Sequence, residues 1–144
     1  MRRARLRRDR HGRGLRGPLC PPEVPLARTR AEQFDDLIAD AVDQLEQRWA
    51  DQLAHVEVAV EDVPPVPLDP PAGWVVPLGR AVPARRDRPA QIVVYRRPVQ
   101  ARATAPEELA ELVHDVVVEQ LADLLGLAPE QVDPDYEGGP DDQD

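Results

Sequence analysis

Apolar residues recur at three- and four-residue steps from Phe34 to Leu45. Phe34, Leu37, Ile38, Ala41, Val42 and Leu45 would form one stripe of an amphipathic helix, which Trp49 and Leu53 extend. Thr29-Arg30-Ala31-Glu32 stands just before it as a capping box, in which the threonine hydroxyl and the glutamate carboxylate satisfy free N–H groups of the first turn. The period then changes to two. His55 to Glu61 alternates strictly, placing Val56, Val58 and Val60 on one face of a strand. Pro64, Pro65, Pro67, Pro70 and Pro71 make residues 63–72 an irregular loop. Trp74-Val75-Val76 is expected as a short strand ended by Pro77, and Ala81 to Pro89 as a second loop. Gln91-Ile92-Val93-Val94-Tyr95 is β-branched and aromatic and reads as a strand, stopped by Pro98. A second capping box, Thr104-Ala105-Pro106-Glu107, opens the last helix. Its stripe runs through Leu109, Leu112, Val113, Val116, Val117, Leu121, Leu124 and Leu125 to a C-cap at Gly126. The expected class is α+β: two helices packed on a small three-stranded sheet, the economical way to bury both stripes.

Charge changes this picture at the two ends. Residues 1–30 hold ten arginines against two acids, whereas the rest of the 144-residue chain holds eight against 25. Every cation is arginine; there is no lysine. Residues 1–27, rich in arginine, glycine and proline, cannot bury enough apolar surface to offset their ordering entropy and read as a disordered basic arm. Residues 128–144 carry seven acids with Gly138, Gly139 and Pro140. One domain at 28–130 is therefore expected, followed by an acidic tail at 131–144. No stretch approaches the roughly 20 apolar residues of a membrane span, and no apolar segment follows the N-terminal charges as a signal peptide requires. The expected location is cytoplasmic, with no membrane partner. Cys20 stands alone, so neither an internal disulfide nor a cysteine zinc site is expected.

Candidate chemistry gathers on the last helix. Asp115, Glu119 and Asp123 recur at four-residue steps as an acidic ridge, read either as a solvated edge or as a weak site for a divalent cation or a basic partner. His114 has Val118, not a ligand, one turn on, and reads as a helix-flank histidine before a zinc ligand. His55 falls on the polar face of its strand beside Glu57, and His11 in the arm. No phosphate-cradling glycine loop and no serine or cysteine nucleophile motif is present. The arm could contact phosphates or acidic surfaces through its arginines, although aromatic residues, which stack bases in many RNA-binding domains, make up only 3% of the chain.

Three phrases carry a resemblance. Phe34 to Val42, Val56-Glu57-Val58-Ala59-Val60-Glu61-Asp62-Val63-Pro64-Pro65, and Gln91 to Val99 are similar, in that order, to the first helix, first strand and last strand of the small bacterial zincin-like metallopeptidase family. The family's signature on its final helix is H-E-x-x-H-H-F-G, in which two histidines at i and i+4 ligate zinc and the glutamate activates the metal-bound water. Aligned on Gly126, this chain reads Glu119-Gln120-Leu121-Ala122-Asp123-Leu124-Leu125-Gly126. By that resemblance Glu119 and Asp123 take the positions of the two histidines, Gln120 that of the catalytic glutamate and Leu124 that of the additional histidine. A carboxylate pair favours hard ions over zinc, and an amide has no useful basicity near neutral pH. The resemblance thus implies a zincin-like fold with a vestigial site, no bound cofactor, no catalysis, and a retained structural or interaction role toward a protein partner. Two alternatives stay open: a metal-dependent peptidase, with zinc, using Glu119, Asp123 and His114 as substitute ligands, and a binder of nucleic acid or acidic partners through the arm. Gln120 points into the apolar stripe and is expected as a buried, hydrogen-bonded amide.

Overall fold

The computed structural model describes residues 5–8 and 29–138. Among these, the elements are β1 (Arg5–Arg8), α1 (Arg30–Leu53), β2 (Val56–Glu61), β3 (Gly79–Val82), β4 (Ala90–Tyr95), α2 (Arg96–Arg102), α3 (Pro106–Leu125) and α4 (Pro129–Val132). The Thr29 box forms as expected, with Thr29 Oγ1 accepting from the Glu32 N–H at 3.0 Å and Glu32 answering to the Thr29 N–H at 3.4 Å. The helix runs to Leu53 but breaks its regular geometry at Trp49 (φ −119°, ψ 30°), whose indole N–H reaches the Val132 carbonyl at 2.9 Å. At its far end α3 closes on Gly126 in the left-handed region (φ 70°), where a glycine meets no steric objection.

The sheet order is β1-β2-β4-β3. β2 and β4 run parallel with Val58 opposite Ile92, and β3 pairs antiparallel to β4 with Gly79 opposite Val94. Val56, Val58, Val60, Ile92 and Val94 share one buried cluster with the stripes of α1 and α3, so both long helices cover the same face. Ala59, Val93 and Tyr95 form a second, smaller buried group on the opposite face.

Five expectations need correction. The sheet's three strands in the body are joined by a fourth: Arg5–Arg8, expected to be disordered, pairs in parallel with β2, Leu6 opposite Val58. The rest of the arm, 1–4 and 9–27, and residues 139–144 lie outside the described residues. The strand expected at Trp74–Val76 lies instead at Gly79–Val82, within the supposed loop. There the Leu78 carbonyl, just past Pro77, accepts from the Tyr95 N–H at 2.9 Å and starts the ladder. Pro98 is not what stops β4, which ends at Tyr95 and passes directly into α2. The proline sits in the first turn of that helix, where the missing N–H costs nothing. Asp62 fixes that turn by accepting from Arg96 Nε at 3.0 Å and Nη2 at 2.8 Å. The second capping box does not form. Ala105 is the N-cap of α3, and Thr104 bonds Glu108 rather than Glu107. Finally, the region expected as a solvated tail contains α4 and two anchors, Val132 (fully buried) and Tyr136 (9% exposed).

Candidate functional site

β3 crosses α3 at its first residue. A β-carbon built on Gly79 would lie 2.9 Å from Val116 Cγ1, 2.9 Å from the Val93 carbonyl oxygen and 3.2 Å from Gln120 Cγ. Only a glycine lets the strand come this close to the helix. Gln120 is thus half-buried against the edge strand, and no hydrogen bond ties its amide to the described residues. The fully buried, hydrogen-bonded glutamine expected from the helix pattern is not what forms, because β3 covers the stem and leaves the head uncovered.

The neighbouring positions point elsewhere. Glu119 is half-buried and accepts a short hydrogen bond from the Tyr136 hydroxyl, which directs its carboxylate toward the segment after α4. Asp123 is exposed, while Leu124 packs partly buried against the core. His114 belongs to a different contact: its Nε2 lies 2.7 Å from Asp133 Oδ2, and its Nδ1 is buried with no hydrogen-bond partner among the described residues. Asp133 is held below the usual carboxylate range. Its partial burial pushes upward but is outweighed by the His114 hydrogen bond, the Asp135 N–H and the charges of His114 and Arg48. Asp115 shifts the other way, to about 6: partial burial raises it, His114 opposes, and Glu119, Asp133 and Glu111 raise it further. Asp115, Glu119 and Asp123 therefore do not act as one ridge, since the first two face the C-terminal segment's acids and tyrosine and the third faces solvent.

A sequence model of the zincin-like metallopeptidase family matches residues 53–138, more than half of the chain. The chain belongs to this family. No curated protein matches it. The matched residues take in β2, β3, β4, α2, α3 and α4. The family assignment also sets a test for zinc at α3. The candidate donors are two carboxylates and an amide, with Glu119 already engaged by Tyr136 and His114 engaged by Asp133. Among the described residues, no group of three or more His, Cys, Asp or Glu side chains could hold a metal ion. This donor set does not fit the zinc of the family, and the substitute ligands Glu119, Asp123 and His114 are not brought together.

Tyr136, Asp133 and Gly79 were not singled out by the sequence pattern. A weak signal existed for the first: Tyr136 is one of few aromatic residues and stands in a run otherwise acidic. Nothing in the local pattern marks Asp133 as the partner of His114, 19 residues away. Among the described residues, no helix is long and apolar enough to cross a membrane.

Proposed function

We propose that this chain is a zincin-like domain that no longer holds zinc or cleaves peptides and serves as a structural or interaction module. The observation that carries this reading is the engagement of Glu119 by Tyr136. The residue in the first ligand position is a carboxylate fastened to the C-terminal segment, beside a glutamine where a water-activating carboxylate would be required. Gln120 can neither take a proton from water nor donate negative charge to a metal-bound nucleophile. The apolar residues of α3 from Val113 to Ala122 are meanwhile buried, which supports a fold held by apolar burial. Elemental analysis of the untagged chain, purified without chelator, tests the reading. Zinc well below stoichiometric is expected. About one zinc per chain, lost together with peptidase activity on Glu119→Ala, would overturn it.

A further inference from the structure

Charge and apolar exposure converge on one side of this domain. Residues 63–105 carry seven arginines and two acids, whereas 29–62 carry two arginines and ten acids, and 106–138 none and ten. The described body is therefore acidic on its two long helices and basic around β3, β4 and α2. Every exposed large apolar side chain among the described residues lies in one loop within the basic part: Val63, Val66, Leu68, Val75 and Val76, with Val66 at 67% and Leu68 fully open. Scattered exposed residues of this kind are ordinary, but five in one loop form a patch that marks a contact surface.

The patch has depth. Val63, Val66, Trp74, Val76 and Leu78 line a cavity of about 640 Å³ with Pro64 beside them, and its other wall is α2, with Arg97, Pro98 and Arg102. It lies at the carboxyl ends of the parallel strands β2 and β4, which the loop after Glu61 and the helix after Tyr95 both leave. Arg97 is exposed, and its guanidinium makes no ion pair among the described residues. Six prolines between Val63 and Leu78 hold the loop backbone, so little conformational freedom is lost when something docks. Leu68 and Val75 lie outside the cavity and continue the apolar surface along the loop. An elongated surface of this kind suits a stretch of polypeptide better than a small molecule.

We propose that the groove between the 63–78 loop and α2 docks an acidic polypeptide segment whose apolar side chains enter the cavity while its carboxylates meet Arg97 and Arg102. Apolar side chains supply the burial, and the basic rim selects acidic flanks and repels basic ones. The inference rests on the reading of this fold as an interaction module, but not on the state of the metal position. Failure to dock a peptide would remove this surface and leave the zinc measurement untouched, and the reverse also holds.

The test is a fluorescence-anisotropy titration of the full chain with a labelled synthetic peptide of alternating aspartate and leucine. Three controls accompany it: asparagine–leucine and aspartate–serine peptides, and a single-stranded oligothymidylate. The aspartate–leucine peptide is expected to bind at least about tenfold more tightly than each control, as a contact needing both an apolar anchor and charge should. Arg97→Gln and Val66→Asn, both at exposed positions where folding is undisturbed, should each weaken it severalfold. Equal binding of aspartate–serine or oligothymidylate would reduce the site to bulk charge and overturn the proposal. So would absence of peptide binding, or binding indifferent to both substitutions. Sedimentation of the chain alone covers the remaining occupant: a dimer dissociated by Val66→Asn would assign the groove to a second copy instead.

Discussion

Gly79 and Gln120 hold the edge strand and the final helix in direct contact: a β-carbon on the glycine would come within 3.2 Å of the glutamine Cγ. The same β-carbon would be tighter still against Val116 Cγ1 and the Val93 carbonyl, both at 2.9 Å. The glutamine stem can move aside; the strand backbone cannot. Gly79→Ala is therefore expected to destabilise the domain by about 1–3 kcal/mol, as overpacking does in other cores. That corresponds to a fall in Tm of several degrees for a domain of this size. An unchanged Tm in thermal denaturation would show that β3 lifts freely from α3.

Gln120→Glu probes the same contact from the helix side. The head of Gln120 is not enclosed, so a carboxylate there keeps much of its hydration and the penalty for a buried unpaired charge does not apply in full. Only a small loss of stability is expected at neutral pH, and none of it should be recovered by zinc, since Glu119 and Asp123 face different directions. A Tm gain specific to added zinc in this variant would mean that the family's metal position can still assemble.

The C-terminal segment is fastened at three points: Trp49 to the Val132 carbonyl, His114 to Asp133, and Tyr136 to Glu119. Tyr136→Phe keeps the ring and removes only the hydroxyl that donates to the half-buried Glu119 carboxylate. A loss of about 1.5–3 kcal/mol is expected, the range for hydrogen bonds to charged groups. Amide exchange should then quicken first in α4 and around Asp135, ahead of the sheet. Uniform acceleration across the domain would instead mean that the segment and the core open as one unit.

The long helices were legible because each carries its own information. The stripes from Phe34 to Leu45 and from Val113 to Leu121 fix the buried faces, and Thr29 and Gly126 mark a start and an end. β2 and β4 were legible from alternation and β-branching. β3 was not, because Gly79-Arg80-Ala81-Val82 has weak strand chemistry and owes its place to pairing with β4 and to a close approach over α3. Val75 and Val76 have the better propensity and remain exposed, since strand preference expresses itself only where a neighbour is available to pair. At the candidate site, the positions compared with the family's signature could be named from their spacing to Gly126. Their environment could not: the partners of His114 and Glu119 come from a segment whose acidic composition suggested solvent. Composition averages over Val132 and Tyr136, the two residues that dock it.

Asp115 gives the domain a specific pH dependence. Partial burial raises its pKa from 3.8 to about 6; the His114 charge opposes this, and the carboxylates of Glu119, Asp133 and Glu111 add to it. The folded state therefore binds this proton more tightly than the unfolded chain does. Between about pH 4 and pH 6 the native protein holds more protons, so stability falls as pH rises through that window and stays lower above it. Asp133, held below the ordinary carboxylate range, has the opposite sign: its contribution is fully present above the ordinary value of 3.8 and is lost as pH falls from there through its lowered pKa. Asp115→Asn removes the first effect while leaving the second in both proteins, where it largely cancels in the comparison. The variant is expected to be more stable than the parent at pH 8, with the advantage shrinking steadily toward pH 4. Urea denaturation of both proteins across that range measures it. If the asparagine variant were less stable at pH 8, the Asp115 carboxylate would be a favourable partner for His114 in the folded state, and the repulsive reading of this cluster would be wrong. A difference constant with pH would locate the effect in packing rather than in charge.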